Sequence, residues 1–414
     1  MHIAIIGSGP AGCYTADHLL RLLPTASITI LEKLPVPFGL IRYGVAPDHQ
    51  STKNVARVLD RVLSRERVHY FGNVEVGQDV TLSELMSLYD AVVLATGASR
   101  DRRLGIPGEA LTGVIGSGAF VSWYNGYPQS QSPPVSSVES AVVIGNGNVA
   151  LDVARILAKG DEELAGSDLP QEAQNWLRQH PLQSIHIVGR RGAAEAKFSE
   201  HELAEIGSLQ RARPLIDKNE DLSRDNAVVK TLRGFAEGPS RKAPVTIEFH
   251  FNLVPEAFIG ENVLRAVRFR SRSGTVLEIS AQLAVTCIGY EARPCCSASP
   301  QNGVFTNEEA KVADRLYVVG WAKRGPSGTI PSNRVEAQEV AQRMAKEVQD
   351  GGRTGEKGLR QLLQQRNVQH LDYGGWRNID VAERSQADSQ RCRRKFCSTN
   401  EMLEAARADQ LRPA

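Results

Sequence analysis

Met1-His2-Ile3-Ala4-Ile5-Ile6-Gly7-Ser8-Gly9-Pro10-Ala11-Gly12 opens the chain, and its reading decides the fold. Ile3 to Ile6 is an uninterrupted apolar run, the pattern of a strand buried on both faces of a parallel sheet. Glycines follow at G-x-G-x-x-G spacing, a helical pattern continues to Leu23, and a second apolar run covers Ser27 to Glu32. Strand, turn, helix and strand make a βαβ unit. Gly7 permits the tight turn, Gly9 lets a pyrophosphate approach the backbone, and Gly12 lets the helix pack closely on the strand. The helix N-terminus then offers amides to the phosphate oxygens. Glu32 ends the second strand, twenty residues after Gly12, where a carboxylate accepts hydrogen bonds from adenosine ribose hydroxyls. The hexapeptide alone would read as a turn; with both strands, the helix and the terminal acid it reads as a dinucleotide site.

A second unit begins at Ala141-Val142-Val143-Ile144-Gly145-Asn146-Gly147-Asn148-Val149-Ala150 and runs on as a helix through Leu157. Ala150 replaces the third glycine, a form of the fingerprint that suits a nicotinamide cofactor at least as well as a flavin. The next strand, Ser184 to Gly189, ends on Arg190-Arg191 rather than on an acid. A carboxylate there would repel a 2′-phosphate, whereas guanidinium forks bind it bidentately, so this site is expected to prefer NADP over NAD. An exposed basic pair in a loop is the ordinary alternative, and its place at this strand end argues against it.

Two further strand ends suggest that one unit lies inside the other. Ala91 to Ala98 carries the apolar run and A-T-G turn of flavoprotein disulfide-reductase-like folds, and Leu316 to Gly320 resembles the strand by which such a chain returns. The expected fold is therefore α/β with two nested, doubly wound, Rossmann-like nucleotide-binding domains. Residues 1–102 and 301–414 would form the FAD domain and 103–300 the NADP domain. Gln129 to Ser137, rich in Pro, Ser and Gln, reads as a surface loop. Beyond Gly351 the sequence turns charged and sparsely apolar, which suggests surface helices packed on the flavin domain. The two βαβ units are the chain's only internal duplication.

Composition bounds the function. The 414 residues are 41% hydrophobic, 23% charged and 6% aromatic, enough apolar material for more than one core. A net charge of +2 is too even for phosphate-driven nucleic-acid binding. Six cysteines form no C-x-x-C pair, and no paired zinc-ligand spacing occurs, so no metal site is expected. Cys295-Cys296 are adjacent and Cys392 and Cys397 have four residues between them, which disfavours thiol-disulfide exchange and suits a reducing compartment. The chain enters its first strand with no basic leader and holds no run of roughly 18 apolar residues, so a cytoplasmic protein without membrane insertion is expected.

A flavin beside a nicotinamide site implies hydride transfer, for which the protein aligns rings and tunes electronics. Gly320-Trp321-Ala322-Lys323-Arg324-Gly325-Pro326-Ser327-Gly328-Thr329-Ile330 offers parts suited to that role, namely an aromatic, two cations and a glycine turn entering a helix from Glu336 to Val348.

These stretches, together with Val36-Pro37-Phe38-Gly39-Leu40-Ile41-Arg42-Tyr43-Gly44-Val45-Ala46-Pro47-Asp48-His49, Gly72 to Gly77, Phe120 to Gly126 and Gly189 to Gly192, cover most of the chain. In them it resembles the ferredoxin NADP reductases of the adrenodoxin reductase type. The resemblance implies FAD held by Gly7, Gly9, Ala11, Gly12, Glu32, Leu40, Val76, Trp321, Gly328, Thr329 and Ile330. It implies NADP(H) held by Asn146, Gly147, Asn148, Val149, Arg190, Arg191, Glu202 and Gly328. Glu202 is suggested because Phe198 to Leu203 follows the family's Phe-Thr-x-x-Glu-Leu; alone it reads as a helix-surface acid. The family also places a His matching His49 near the flavin, coupled to an acid matching Asp152, in a tuning role.

The implied partner is a ferredoxin-like, acidic iron-sulfur protein that would feed a downstream oxidase such as one of the cytochrome P-450 class, with a monomeric reductase favoured. Ala204 stands where the family commonly has an arginine linked to partner docking. Candidate docking cations are Arg211, Arg213, Lys230 and Arg233, with Arg57, Arg61 and Arg65. Two alternatives are an electron-input subunit similar to the glutamate synthase small subunit and a non-enzymatic NADPH-binding redox sensor. The first is disfavoured because no cysteine-rich module precedes the first strand.

Overall fold

The first sheet has the strand order Lys311–Ala313, Leu316–Val318, Ala91–Leu94, His2–Ile6, Ser27–Glu32, Val68–Gly72. Its pairings are parallel except for the edge hairpin between Lys311–Ala313 and Leu316–Val318. The second sheet has the order Val114–Gly116, Leu283–Thr286, Ser140–Ile144, Ser184–Val188, Val245–His250, Ala212–Ile216 and is parallel throughout. All of it lies, in sequence, between the fourth and fifth strands of the first, so one Rossmann-like unit is inserted in another. The computed structural model describes residues 1–238, 242–294 and 300–407.

Burial on both faces explains the apolar runs. Ile3 and Ile5 point into one core and Ala4 and Ile6 into another. In the second sheet Ala141 and Val143 face helices, while Val142 and Ile144 face a three-stranded antiparallel sheet through Phe258, Val267 and Phe269. In each parallel sheet the chain leaves the strand beside its glycine turn in one direction and resumes on the other side, with Ala91–Leu94 or Leu283–Thr286. That reversal opens a crevice at the carboxyl ends of the strands.

Close packing fixes the first turn. Gly7 sits at φ +110°, and a Cβ there would lie 2.4 Å from the carbonyl oxygen of Ala95; a Cβ on Gly12 would lie 2.1 Å from that of Gly7. The turn is thus held between the ends of two neighbouring strands.

The segment 129–137 is a mostly exposed loop without regular structure. The last helices, Glu356–Gln365, Tyr373–Ser385 and Thr399–Arg407, pack on the first sheet, as the sequence suggests. They are more than a surface layer, since Trp376, Ile379 and Met402 are buried in the first sheet's core. The segment between the last two also reaches the inserted half. Lys395 lies 3.2 Å from Asp168 and donates to the carbonyl of Asn125 at 2.7 Å. Lys53, from the first segment, meets the same Asp168 at 2.8 Å. Burial pulls Lys395 down to about 7, against the pull of the Asp168 carboxylate. Among the described residues no helix is long and apolar enough to cross a membrane.

Candidate functional site

The first glycine turn leads into the helix Pro10–Leu22, whose N-cap is Gly9 and which has no side-chain cap. The position a Cβ would take on Gly9 has nothing within 4 Å, so that side of the turn is open. Glu32 ends its strand and turns back over the turn. Its Oε2 accepts hydrogen bonds from the Ser8 amide at 3.1 Å and the Ser8 hydroxyl at 2.7 Å, and Oε1 accepts from the Leu34 amide at 3.3 Å. The carboxylate fastens the turn and keeps further lone pairs.

The segment Val36 to His49 folds across this end. Phe38 donates its amide to the Ser8 carbonyl at 3.2 Å, and Leu40 is exposed at the start of the short helix Leu40–Tyr43. Val76, half-buried, bridges to Val80. Gly320 closes the site from the return strand, since a Cβ there would lie 2.6 Å from that of Ala11. Ala11 is buried, and the Thr96 hydroxyl of the A-T-G turn is buried without a hydrogen-bond partner.

The stretch 320–330 holds a correction. Lys323 and Arg324 do not form a free cationic pair. Both lie against the buried Glu336, Lys323 at 3.4 Å and Arg324 in direct contact. Glu336 also accepts the Gly320 amide at 2.9 Å. The cations therefore brace the turn from below, and Gly328, Thr329 and Ile330 are left to present the start of the helix Ile330–Glu347. Trp321 donates its indole N–H to the Ser327 carbonyl at 3.0 Å.

The second turn enters the helix Asn148–Ala158, again without a side-chain cap at Gly147. A Cβ on Gly147 would meet nothing within 4 Å. Both amide atoms of the Asn146 side chain are buried without a partner, lying so close over Gly189 that a side chain there would overlap them. Arg190 and Arg191 follow, both exposed, and neither guanidinium has an ion pair or hydrogen bond among the described residues.

Between the two turns lies an ion cluster that the motifs did not disclose. Its centre is Arg155, with no exposed surface. Nε and Nη2 donate to Asp48 at 2.9 and 3.1 Å. Nη2 is also 2.7 Å from Asp152, and Nη1 is 3.3 Å from both Glu202 and Glu205. Lys159 adds a contact to Asp48 at 2.7 Å.

His49 stands beside it. Its Nδ1 is 3.8 Å from Asp152, while its Nε2 makes a 2.9 Å hydrogen bond with Glu205 and is 3.7 Å from Glu202. The Arg155 guanidinium, purely a donor, is 3.4 Å from Nδ1, and the Glu205 carboxylate accepts at Nε2, so the proton of that hydrogen bond sits on Nε2. The His49–Asp152 pair is therefore an approach, and the hydrogen bond belongs to Glu205. Burial pushes Asp152 up to about 6 despite Arg155, whereas Arg155 and Lys159 overcome burial at Asp48 and hold it well below the usual carboxylate range. Asp48, Arg155, Lys159 and Glu205 were missed; the helical spacings Asp152-x-x-Arg155 and Glu202-x-x-Glu205 were the available signal.

The two strand-end regions also meet directly. Trp321 stacks on Tyr290 with ring centroids 6.0 Å apart, and Pro326 lies 3.8 Å from the Cβ position of Gly289. Open glycines, uncapped helix starts, an orphaned amide and unpaired arginines fit two dinucleotides, the second carrying a 2′-phosphate. Cys13, Cys287, Cys392 and Cys397 are free; Cys295 and Cys296 lie outside the described residues.

Two such sites, face to face in one α/β chain, define a two-dinucleotide oxidoreductase. Residues 1–345 match the pyridine nucleotide-disulphide oxidoreductase family. The chain is 35% identical to the mitochondrial NADPH:adrenodoxin oxidoreductase of Arabidopsis thaliana, over 98% of this chain and 95% of that one. It is 38% identical to cindoxin reductase of Citrobacter braakii, over 98% and 91%. The structure of Mycobacterium tuberculosis FprA in complex with NADPH superposes with a TM-score of 0.92 at 34% identity, covering 98% of this chain and 99% of that one. The chain belongs to the pyridine nucleotide-disulphide oxidoreductase family, in its adrenodoxin reductase and ferredoxin NADP reductase group.

Proposed function

We propose that this chain is a flavoprotein oxidoreductase that passes electrons from NADPH through FAD to a one-electron, ferredoxin-like iron-sulfur carrier. One observation carries the proposal: the carboxyl ends of the two nested sheets meet, through Trp321 on Tyr290 and His49 beside Asp152, so the two dinucleotide sites open toward each other. FAD, once bound, supplies the chemistry that couples two-electron uptake to one-electron release.

The residues of the chain bind and orient. The first turn, with Gly7, Gly9, Ala11, Gly12 and Glu32, holds the FAD pyrophosphate and ribose, and Leu40, Val76, Trp321, Gly328, Thr329 and Ile330 frame the rest. Asn146 to Val149 hold the NADPH pyrophosphate, and Arg190 and Arg191 its 2′-phosphate. Residues 1–102 and 301–414 make the FAD domain and 103–300 the NADP domain. His49 keeps a proton on Nε2 against Glu205, next to the meeting point, where it serves proton supply. Glu202 reaches Arg155 rather than open space, so it acts by positioning that cluster. Four free cysteines suit a reducing, cytoplasmic setting.

The test is two-stage. NADPH should bleach the bound flavin rapidly, and adding ferredoxin should then sustain turnover; bleaching without turnover on any ferredoxin tried would leave a sensor. Docking to an acidic carrier should weaken with salt while reduction of a small uncharged dye changes little. Arg57, Arg61, Arg211 and Lys230 are exposed candidates for that surface, whereas Arg65 is paired with Asp17 at 2.6 Å and Arg233 binds the Leu222 carbonyl at 2.6 Å. Equal salt dependence for both acceptors would reject electrostatic docking.

Glu32→Arg removes the acceptor of Ser8 and reverses the charge at the ribose end. The purified variant should lose FAD on gel filtration that the yellow wild type retains; equal flavin content in the two proteins would remove Glu32 from the site.

A further inference from the structure

His186, Glu248 and His250 converge on one face of the second sheet. The parallel register sets Glu248 beside His186 and His250 beside Val188. Glu248 and His250, two apart on one strand, share that face. Three polar side chains distant from the dinucleotide turns of the sequence are thus gathered by strand pairing alone.

Their ligand atoms are close. His186 Nδ1 is 3.1 Å from His250 Nε2 and 3.5 Å from Glu248 Oε2, and His250 Nε2 is 3.8 Å from the same oxygen. A tetrahedral ion with bonds of about 2.0 to 2.1 Å holds its ligand atoms roughly 3.3 to 3.4 Å apart along each edge. The three atoms already outline one face of such a tetrahedron.

Glu248 Oε1 is held by the Thr246 hydroxyl at 3.4 Å, leaving Oε2 aimed at the two rings. All three side chains are partly exposed, so an ion has a way in and a fourth position stays open to water. The other triad of this kind, His49, Glu202 and Glu205, already surrounds the Arg155 guanidinium and offers a cation no room.

We propose that His186, Glu248 and His250 form a site for a divalent ion of borderline softness, Zn²⁺ in the first place, with two imidazoles and one carboxylate as ligands. The ion pins Ser184–Val188 to Val245–His250 at the strand end that delivers Arg190 and Arg191. It takes no part in hydride transfer, and the site stands whether or not the proposed electron acceptor is correct.

The test uses untagged, flavin-loaded protein, stripped with a chelator and dialysed against ZnCl₂. Wild type should retain one Zn²⁺ per chain and melt at a higher temperature with it than without. Two variants separate the site from folding: His186→Asn with His250→Asn, and the volume-conserving Glu248→Gln. Each should bind Zn²⁺ at least tenfold more weakly and lose the melting shift, with the flavin spectrum and NADPH reduction unchanged. A wild type that retains no stoichiometric Zn²⁺, or a Glu248→Gln chain that binds it as wild type does, overturns the proposal.

Discussion

With Arg190 and Arg191 both replaced by alanine, the preference for NADPH over NADH should fall by at least tenfold and by as much as several powers of ten. Each guanidinium stands to make charge-assisted hydrogen bonds to the 2′-phosphate, worth about 1.5 to 3 kcal/mol apiece, and every 1.4 kcal/mol is about a factor of ten. Exposure and salt screening set the lower bound. The two side chains are exposed and have no partner of their own among the described residues, so their removal leaves no buried group unsatisfied, and the variant should melt as the wild type does. The measurement is kcat/KM for the two nucleotides in flavin reduction. A preserved ratio would move phosphate recognition to another part of the NADP half.

Arg155→Met should destabilise the protein by about 3 to 5 kcal/mol, the range for removing one partner of a buried ion cluster. Methionine fills much of the volume, but Asp48, Asp152, Glu202 and Glu205 are left facing one another with only Lys159 and His49 nearby. The loss should depend on pH, and its sign follows from the two shifted carboxyls. Asp48 is held below its unfolded value, so it contributes stability above the usual carboxylate range that is lost as pH falls through its folded value. Asp152 runs the other way: raised to about 6, it favours the fold below its unfolded value and loses that contribution as pH rises through about 6. Without Arg155 both acids rise, and protonation relieves their repulsion. The gap between variant and wild type in urea unfolding should therefore be wider at pH 8 than at pH 5; an equal gap would mean that the guanidinium acts by packing alone.

The sequence disclosed what is local. A βαβ turn needs its glycines at fixed spacing because Gly7 and Gly12 each touch backbone, and Arg190-Arg191 follows a strand whose end is set by the same periodicity. What it hid is tertiary. Arg155 looked like one more residue of a helix, yet it joins Asp48 from the first half to Glu202 and Glu205 from another helix. Lys323 and Arg324 looked available because Glu336, which binds both, lies beyond the glycine turn, in the second turn of the helix Ile330–Glu347. His186 and Glu248 are neighbours only through strand register, which no spacing rule predicts. The C-terminal helices were legible as a layer packed on the first half, and what the sequence did not single out is that a few buried side chains, such as Trp376 and Ile379, carry that packing.

Asp168 is held by lysines from two distant parts of the chain, Lys53 and Lys395. This sets an order for biosynthesis. While the polypeptide is being made, the inserted half can complete its own sheet, but the first sheet must wait for Leu316–Val318, and the Asp168 contact must wait for Lys395. Until residue 395 has left the ribosome, Asp168 has only one of its two cations, and until residue 376 has emerged the core that Trp376 fills stands open to water. The nascent chain therefore passes through a long interval in which its earliest strands are formed but not closed, the state in which exposed apolar surface most invites aggregation or chaperone binding.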